Sequence, residues 1–235
     1  GILVDAGLSG RELIRRLEMI GVKPEDLNAI FITHEHADHM KGAGPLARRL
    51  DIPVYMNAST MKRGLKTLGK VSKPIPVHTG QMLTINDLRI ETFTKCHDAA
   101  DPMGVVCTSN GVKLGLATDL GRSTRLIEDR LMGCDGLILE FNHDPKMLEE
   151  GPYPWELKQR VKSNDGHLSN RQAVDLLAAV SHKGLRVVVL AHLSEVNNHP
   201  ETAYNEAKGA LEKCGLEHIR VLVSRQDHPL PLENL

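Results

Sequence analysis

The chain has 235 residues, of which 41% are hydrophobic and 25% charged, so its composition is that of a globular protein and excludes a disordered one. No run approaches the about 18 apolar residues of a membrane-spanning helix, so we expect no membrane partner. The formal net charge of −1 excludes a global positive field for nucleic acid, and one Trp, three Tyr and three Phe argue against an extended base-stacking platform.

Strand-like apolar runs alternate with helical patterns in the first half of the chain. A capping box of Ser9 and Glu12 begins a helix that Gly21 ends. Asn110-Gly111 is the preferred pair for a type I′ hairpin. Strands are predicted over residues 2–4, 29–33, 54–56, 81–85, 88–94, 105–109 and 112–117, and further helices over 46–50 and 59–68.

The second half repeats this alternation. A second capping box, Ser169 and Gln172, opens a helix, and Pro200 stands in the first turn of a helix that ends before Gly215. A helix is also predicted over residues 122–132, and strands over 136–140, 186–191 and 219–224. Early hairpins combined with βα units predict one layered α/β or α+β domain over residues 1–235, with helices outside a mixed sheet system.

The cysteines and the first residues bear on the protein's setting. The cysteines show no C-x-x-C spacing, which predicts reduced thiols and a cytoplasmic protein; they are Cys96, Cys107, Cys134 and Cys214. The chain begins without Met, already inside the strand-like run GILVDAG. We therefore expect the natural protein to begin earlier, with a segment ahead of residue 1.

Residues 34–39, HEHADH, place three histidines and two carboxylates in six positions; we call them the histidine segment. His34 and His36 are two apart, so an extended or tightly turned backbone can aim both rings at one point. Asp38 and His39 follow on the next bend and can aim at a second point. Imidazole and carboxylate ligands suit zinc, manganese or iron.

A metal site needs more ligands than this segment offers, and other strand ends supply them. His97 follows the strand LRIETFTK, Asp119 follows VKLGLAT, and His192 follows RVVVLA. Each alone would more often be a structural hydrogen-bonding residue. Together with the histidine segment they predict a metal site assembled from several strand ends.

The pattern T-H-x-H-x-D-H, followed by the spaced His, Asp and His and preceded by LVDAG, resembles the metallo-β-lactamase fold superfamily over essentially the whole chain. The resemblance implies an α+β fold, an αββα four-layer sandwich with the metal site at one edge of the two sheets. It implies a first metal ion on His34, His36 and His97, and a second on Asp38, His39 and His192. Asp119 would bridge the ions, and Asp5 would orient a ligand without binding metal.

This ligand set implies a hydrolase with two divalent metal ions, zinc or manganese with iron as a further option. Two such ions stabilise attacking and leaving oxygens and convert a bridging water to hydroxide. Asp38 would be catalytic, accepting a hydrogen bond from that hydroxide. A metal-stabilised scaffold without activity is disfavoured, because a structural zinc site is closed with four ligands and needs no bridging carboxylate.

Seven separated segments, including THEHADHMKGAGPLAR, LILEFNHD, GHLSN and AHLSEVNN, resemble the YycJ/WalJ-like subgroup of bacterial metallohydrolases. Members of that subgroup are assigned as double-stranded DNA exonucleases acting from the 5′ end. The resemblance implies a phosphodiesterase, a 5′→3′ DNA exonuclease, with DNA as partner. It also implies an N-terminal strand segment that this sequence lacks. The alternative is a small-molecule hydrolase acting on a thioester, a lactone or a β-lactam-type amide at the same dinuclear site. The oligomeric state stays open.

Further residues are candidates for contact with a phosphodiester. His167 could protonate a leaving oxygen, and Ser169 and Asn170 lie at a helix start that favours an anion, although Ser169 could equally be a simple cap. His143 follows the strand at 136–140 and could reach the same rim or brace a loop. Residues 61–73 carry a basic stripe without an acidic residue that could neutralise DNA phosphates, or simply be solvated; its leading members are Lys62, Arg63 and Lys66.

Overall fold

The computed structural model describes all 235 residues and contains two β-sheets flanked by helices. The strands are β1 (Ile2–Val4), β2 (Ala29–Phe31), β3 (Val54–Asn57), β4 (Pro74–Val77), β5 (Met82–Ile85), β6 (Leu88–Thr94), β7 (Met103–Ser109), β8 (Val112–Ala117), β9 (Gly136–Glu140), β10 (Val187–Ala191) and β11 (Arg220–Val223). The helices are α1 (Gly10–Met19), α2 (Ala37–Met40), α3 (Ala43–Leu50), α4 (Ala58–Leu68), α5 (Arg125–Leu131), α6 (Pro145–Glu150), α7 (Trp155–Lys162), α8 (Asn170–Val180) and α9 (Pro200–Lys213).

The smaller sheet has the order β1-β2-β3-β4, and all its strands are parallel. The larger sheet has the order β11-β10-β9-β8-β7-β6-β5. In it β8 to β11 are parallel, whereas β6 and β8 both run antiparallel to β7. The strands β6, β8, β9 and β10 therefore point the same way and end at one edge of this sheet.

Alternating residues of β2 separate two cores. Ile30 packs with the apolar faces of α1, α3 and α4, whereas Ala29 and Phe31 pack with residues of the larger sheet such as Ile90 and Val105. This is the period of two expected for a strand that is buried on both faces.

The other face of the larger sheet is covered by α5, α8 and α9. Their apolar side chains, for example Ile127, Leu176 and Ala207, join Leu137 and Leu190 of the sheet in the largest core cluster. The layers are thus helix, sheet, sheet and helix, which confirms the predicted α+β sandwich. No helix is both long and apolar enough to cross a bilayer, and all four cysteines are free thiols.

Several element boundaries differ from those predicted. The strand β4 was not predicted, because Pro74 and Pro76 disfavour a ladder; it is tolerated at the sheet edge. Helices α2, α6 and α7 were not predicted either. The helix expected from residue 122 begins only after Thr124, whose side chain caps it. The Asn110-Gly111 hairpin is confirmed, with φ angles of 50° and 82°.

The two predicted capping boxes have different outcomes. At α8 both reciprocal hydrogen bonds of Ser169 and Gln172 are present. At α1 the Ser9 hydroxyl accepts from the Glu12 backbone, but the Glu12 carboxylate turns away to Arg15 and Arg16. The Glu12 carboxylate pairs with the arginines rather than with the Ser9 backbone N–H because a charged guanidinium is a stronger donor than a backbone amide.

Candidate metal centre

Strand ends from both sheets meet at one edge and bring the predicted site residues together. Asp5 follows β1, the histidine segment follows β2, and His97, Asp119 and His192 follow β6, β8 and β10. Asp5, Asp119 and His192 have φ angles of 59°, 55° and 58°, a left-handed conformation that few non-glycine residues adopt. Backbone held in that region is common where side-chain aim matters more than local stability.

His34, His36 and His97 form the first group. His34 Nε2 is 3.1 Å from His36 Nδ1, which in turn is 3.2 Å from His97 Nε2. Ligands at about 2.0–2.1 Å from a tetrahedral ion lie roughly 3.3 Å apart, so these nitrogens have the spacing of a metal ligand set. The structure therefore brings together the three predicted ligands of the first ion.

Asp38, His39 and His192 form the second group. His39 Nε2 lies 3.5 Å from Asp38 Oδ2, and His192 Nε2 lies 3.7 Å from the same oxygen. Asp119 stands between the groups, with Oδ1 3.7 Å from His97 Nε2 and 3.4 Å from His192 Nε2. Asp119 is thus within reach of both groups, as a bridging ligand would be.

Two buried atoms at this centre lack a hydrogen-bond partner. His39 Nε2 and Asp119 Oδ2 face each other at 3.3 Å without forming a hydrogen bond. An unpaired buried polar group is costly, so such groups call for a partner such as an ion. Nitrogen and carboxylate donors of this kind fit zinc, manganese or iron.

Asp5 orients the second group from behind. Its Oδ2 accepts hydrogen bonds from His39 Nδ1 at 2.7 Å and from the Thr33 hydroxyl at 2.8 Å, and its Oδ1 accepts from the Thr33 backbone. The bond to Nδ1 fixes the tautomer of His39 and leaves Nε2 free for a metal. Gly7 is needed here as well, because a Cβ on it would lie 1.5 Å from the Asp38 carbonyl oxygen.

Glu140, the last residue of β9, plays the corresponding part for His192 and is fully buried. Its Oε1 accepts from the Nδ1 atoms of His192 and His167 at 2.9 and 3.0 Å and from the Asp119 backbone. Its Oε2 accepts from the backbone of Leu120 and Leu168. The role of Glu140 was missed from the sequence, although a charged residue that ends an apolar strand at this edge was a usable signal.

The carboxylates give the centre a negative field. Burial lowers the pKa of His39, but Asp5 and Asp119 outweigh it and raise that pKa to about 12. Burial likewise lowers the pKa of His192, which Asp119 and Asp38 raise to about 10. The neighbouring His192 and His39 rings hold the pKa of Asp38 well below its usual range. A site that draws protons onto its rings so strongly will also attract a cation, which binds with release of those protons.

Lys95 is a second residue that the sequence did not reveal. It is 4% exposed, donates from Nζ to the Thr118 carbonyl at 2.6 Å, and lies 3.8 Å from Asp119 Oδ2. Its positive charge offsets part of the carboxylate charge under the centre. A lysine at the end of a strand is normally exposed, so the sequence carried no signal for this role.

An open cleft of about 870 Å³ leads to the centre. Asp38, His39, His167 and His192 line its floor. The ring of His167 stands 5.2 Å from that of His97 and 5.3 Å from that of His192, centroid to centroid. The structure therefore brings His167, predicted to be catalytic, into the centre.

Three residues predicted to contact substrate are buried instead. Ser169 is used by its capping box, and Asn170 exchanges hydrogen bonds with Asn198 at 0% exposure. His143 is 3% exposed, and burial lowers its pKa to about 4. The helix start and the loop before α6 are thus packed rather than open, which favours the capping and loop-bracing alternatives, and substrate contact of these three stays a prediction.

The basic residues Lys62, Arg63 and Lys66 are exposed on α4, as expected of a phosphate-binding stripe. Arg63 Nη1 lies 3.6 Å from Glu35 Oε1 of the histidine segment, which places this helix next to the centre. Lys73, at the far end of the stripe, is instead paired with Asp51.

Comparison with known proteins identifies a family and close relatives. A family model described as "Beta-lactamase superfamily domain" matches residues 1–193. The chain is 37% identical over 216 residues to exodeoxyribonuclease YycJ of Bacillus anthracis, covering 91% of this chain and 82% of that protein. It is 39% identical over 223 residues to exodeoxyribonuclease WalJ of Streptococcus pneumoniae, covering 92% and 81%.

The fold is likewise found among solved structures. The metallo-β-lactamase fold protein YhfI from Bacillus subtilis superposes with a TM-score of 0.71 and 21% sequence identity, covering 95% of this chain and 83% of YhfI. At that identity the likeness concerns the fold alone.

Proposed function

The chain is a metal-dependent hydrolase that belongs to the metallo-β-lactamase superfamily, with YycJ and WalJ as relatives, and we propose that it is a dinuclear 5′→3′ DNA exonuclease. The relatives are named exodeoxyribonucleases and align along more than four-fifths of their length, which supports DNA as the substrate. The relatives' names say nothing of metal number or polarity, so both belong to the proposal.

The observation that carries the proposal of two ions is the position of Asp119 between the two ligand groups. Its Oδ1 lies near His97 of the first group and His192 of the second, and its Oδ2 lies near His39 of the second group. The first ion would be held by His34, His36 and His97, the second by Asp38, His39 and His192, with Asp119 shared. Zinc, manganese and iron all suit this set.

Two divalent ions held by these residues would polarise a phosphoryl oxygen and activate a water as the nucleophile. Asp38 then has a second task besides holding metal. Its side chain is 67% exposed at the cleft floor, and the adjacent imidazoles hold its pKa well below the usual range, so it is ionised near neutral pH. An ionised carboxylate there accepts a hydrogen bond from the attacking water and orients it toward phosphorus.

His167 is suited to the other end of the reaction. Glu140 accepts from its Nδ1 and so fixes the ring, which leaves Nε2 for the substrate. In its protonated form His167 gives the Nε2 proton to the departing 3′ oxygen of the terminal nucleotide. Attack on the first internucleotide phosphate then releases a 5′ mononucleotide.

Exposed cations on α4 would bind the flanking duplex. Lys62, Arg63 and Lys66 can each neutralise a phosphate without reading sequence, and Arg63 is next to the histidine segment. Because such contacts release counterions, affinity for DNA should fall steeply with added salt.

The test is hydrolysis of a 5′-phosphorylated, end-labelled DNA duplex by the protein loaded with Mn²⁺ or Zn²⁺. We expect mononucleotides from the 5′ end, and a loss of about 100-fold or more in kcat for Asp38→Ala, because it removes both a ligand and the water-orienting carboxylate. The matched control is Asp175→Ala, which replaces an exposed aspartate on α8. This variant should cleave the duplex at the rate of the unchanged protein.

An intact duplex under each metal, together with turnover of a thioester or lactone, would replace the nuclease by the small-molecule hydrolase. Cleavage of DNA by Asp38→Ala at the full rate would instead remove Asp38 from the reaction.

A further inference from the structure

One wall of the cleft that leads to the metal centre is apolar. Tyr153, Leu157 and Val161 line it, from the turn before α7 and from the helix itself. Tyr153 and Leu157 are half-buried, so part of each side chain is open to the cleft. This wall shares the cleft with the polar floor of Asp38 and His167. A ligand that fills the cleft must therefore be polar on one side and apolar on the other.

The aromatic residues are unevenly distributed. All three phenylalanines are fully buried in the cores. Tyr153 lines the cleft, and Trp155, the only Trp of the chain, is 69% exposed at the start of α7. A tryptophan so exposed is unusual, because its large apolar surface is normally covered. Tyr153 is thus the one aromatic side chain that lines the cleft, and Trp155 follows it by two residues in the chain.

Ionic and backbone contacts hold this wall in place. Arg160 of α7 donates from Nε to Asp98 Oδ2 at 2.6 Å, next to the first ligand group. The backbone of His167 donates to the Val161 carbonyl at 2.9 Å, and Lys158 Nζ donates to the Glu149 carbonyl at 2.6 Å. A wall fixed in this way loses little conformational freedom when a ligand binds.

We propose that the Tyr153 ring stacks with the base of the terminal nucleotide whose phosphodiester lies at the cleft floor. The inference rests on the proposed exonuclease function and adds a subsite for the leaving nucleoside. The aromatic residues are too few for an extended platform, but one base needs only one ring. Every base has a π-face, so a stacking subsite accepts all four and favours ends whose terminal base is unpaired.

The test measures binding separately from cleavage. The metal-loaded protein is titrated into a phosphorothioate-linked duplex with one unpaired 5′ nucleotide and a fluorescent label at the 3′ end, and Kd is read from anisotropy. Variants are Tyr153→Phe, Tyr153→Leu and Tyr153→Ala. The matched control is Tyr204→Ala, which removes an aromatic side chain of 38% exposure on α9, outside the cleft.

Loss of the ring should weaken binding roughly 5- to 100-fold, as expected for one stacked base, whereas Tyr153→Phe and Tyr204→Ala should keep Kd within about twofold. Tyr153→Leu keeps apolar bulk without a π-face, so it should resemble Tyr153→Ala; recovery of binding by leucine would show mere packing and overturn the proposal. The ratio between variant and unchanged protein should persist as salt is raised, since stacking releases no counterions.

A second substrate separates this inference from the function on which it rests. Replacing the terminal nucleoside by an abasic residue should weaken binding to the unchanged protein as much as Tyr153→Ala does. If the unchanged protein cleaves DNA but binds the normal and the abasic duplex with equal affinity, and Tyr153→Ala loses no affinity, the subsite is overturned and the nuclease function stands. Absence of both DNA binding and DNA cleavage by the unchanged protein would overturn the two together.

Discussion

Glu140 links two imidazoles of the candidate metal centre to the backbone beneath them. One carboxylate accepts from two imidazoles and from the backbone of Asp119, Leu120 and Leu168. Burial raises its pKa, but the His167 and His192 rings outweigh burial and bring the pKa to about 2. It is therefore a charged acceptor at neutral pH, on the side of both rings that faces away from the cleft.

Glu140→Gln keeps the size of the side chain but removes its charge and one acceptor oxygen, so it tests whether the carboxylate itself is needed. Both carboxylate oxygens are used as acceptors, so the amide NH₂ group must face at least one N–H donor. We expect metal affinity to fall about 10- to 100-fold, the usual effect of losing a partner behind a ligand, as measured by competition with a chelating dye. Glu18→Gln, at an exposed position of α1, is the control. Unchanged affinity would mean that His192 keeps its orientation without this carboxylate.

At the scale of elements, the start of α8 shows how a functional pattern in sequence can have a structural cause. The Ser169 hydroxyl accepts from the Gln172 backbone and donates to its side chain, and Asn170 bonds with Asn198. Asn198 also donates to the carbonyls of Phe141 and Asn142, tying the loops after β9 and β10 to this helix. The segment GHLSN therefore holds loops of the rim in place, and of it only His167 reaches the cleft.

Ser169→Ala should consequently lower stability and leave catalysis alone. We expect a loss of about 1 kcal/mol in the free energy of unfolding, typical of a lost N-cap, in urea denaturation. KM for DNA should stay unchanged. Ser9→Ala removes an N-cap that has no reciprocal hydrogen bond, so it should lower the free energy of unfolding by less than Ser169→Ala does. A raised KM at unchanged stability would restore Ser169 as a substrate contact.

At the scale of the whole molecule, the centre depends on the complete sandwich. Its candidate ligands follow strands of both sheets, β2 in the smaller and β6, β8 and β10 in the larger. In the unfolded chain His34 and His192 are separated by most of the sequence. Metal therefore binds the folded state far better than the unfolded one, and binding contributes to folding free energy.

Removal of metal should accordingly destabilise the protein. At a free metal concentration of about 100 times Kd, the loaded protein should be roughly 2.7 kcal/mol more stable than the chelated one. Asp119→Asn should shrink this difference, whereas Asp175→Ala should preserve it. Urea denaturation with and without chelator measures this stability difference for the unchanged protein and for each variant. Equal stability of the unchanged protein in the two conditions would argue against a metal centre at these residues.

The periodic elements and the candidate ligands could be predicted from the amino-acid sequence. Apolar runs and caps indicated most of the strands and long helices, since these depend on local propensity and burial pattern. The ligand-type residues stood out because the histidine segment is dense in ligand side chains and because His97, Asp119 and His192 each lie shortly after a strand-like run. Short elements such as α2 and the proline-containing edge strand β4 escaped, because tertiary contacts rather than local preference stabilise them.

Which polar side chains line the cleft and which are buried in the protein depends on the tertiary structure. Glu140 and Lys95 acquire their roles from burial beneath the centre, and His143 and Asn170 are buried as well. The Tyr153 wall likewise exists only once α7 is fixed against the centre. Burial and mutual distance depend on contacts between residues far apart in the chain, and a local sequence pattern does not contain that information.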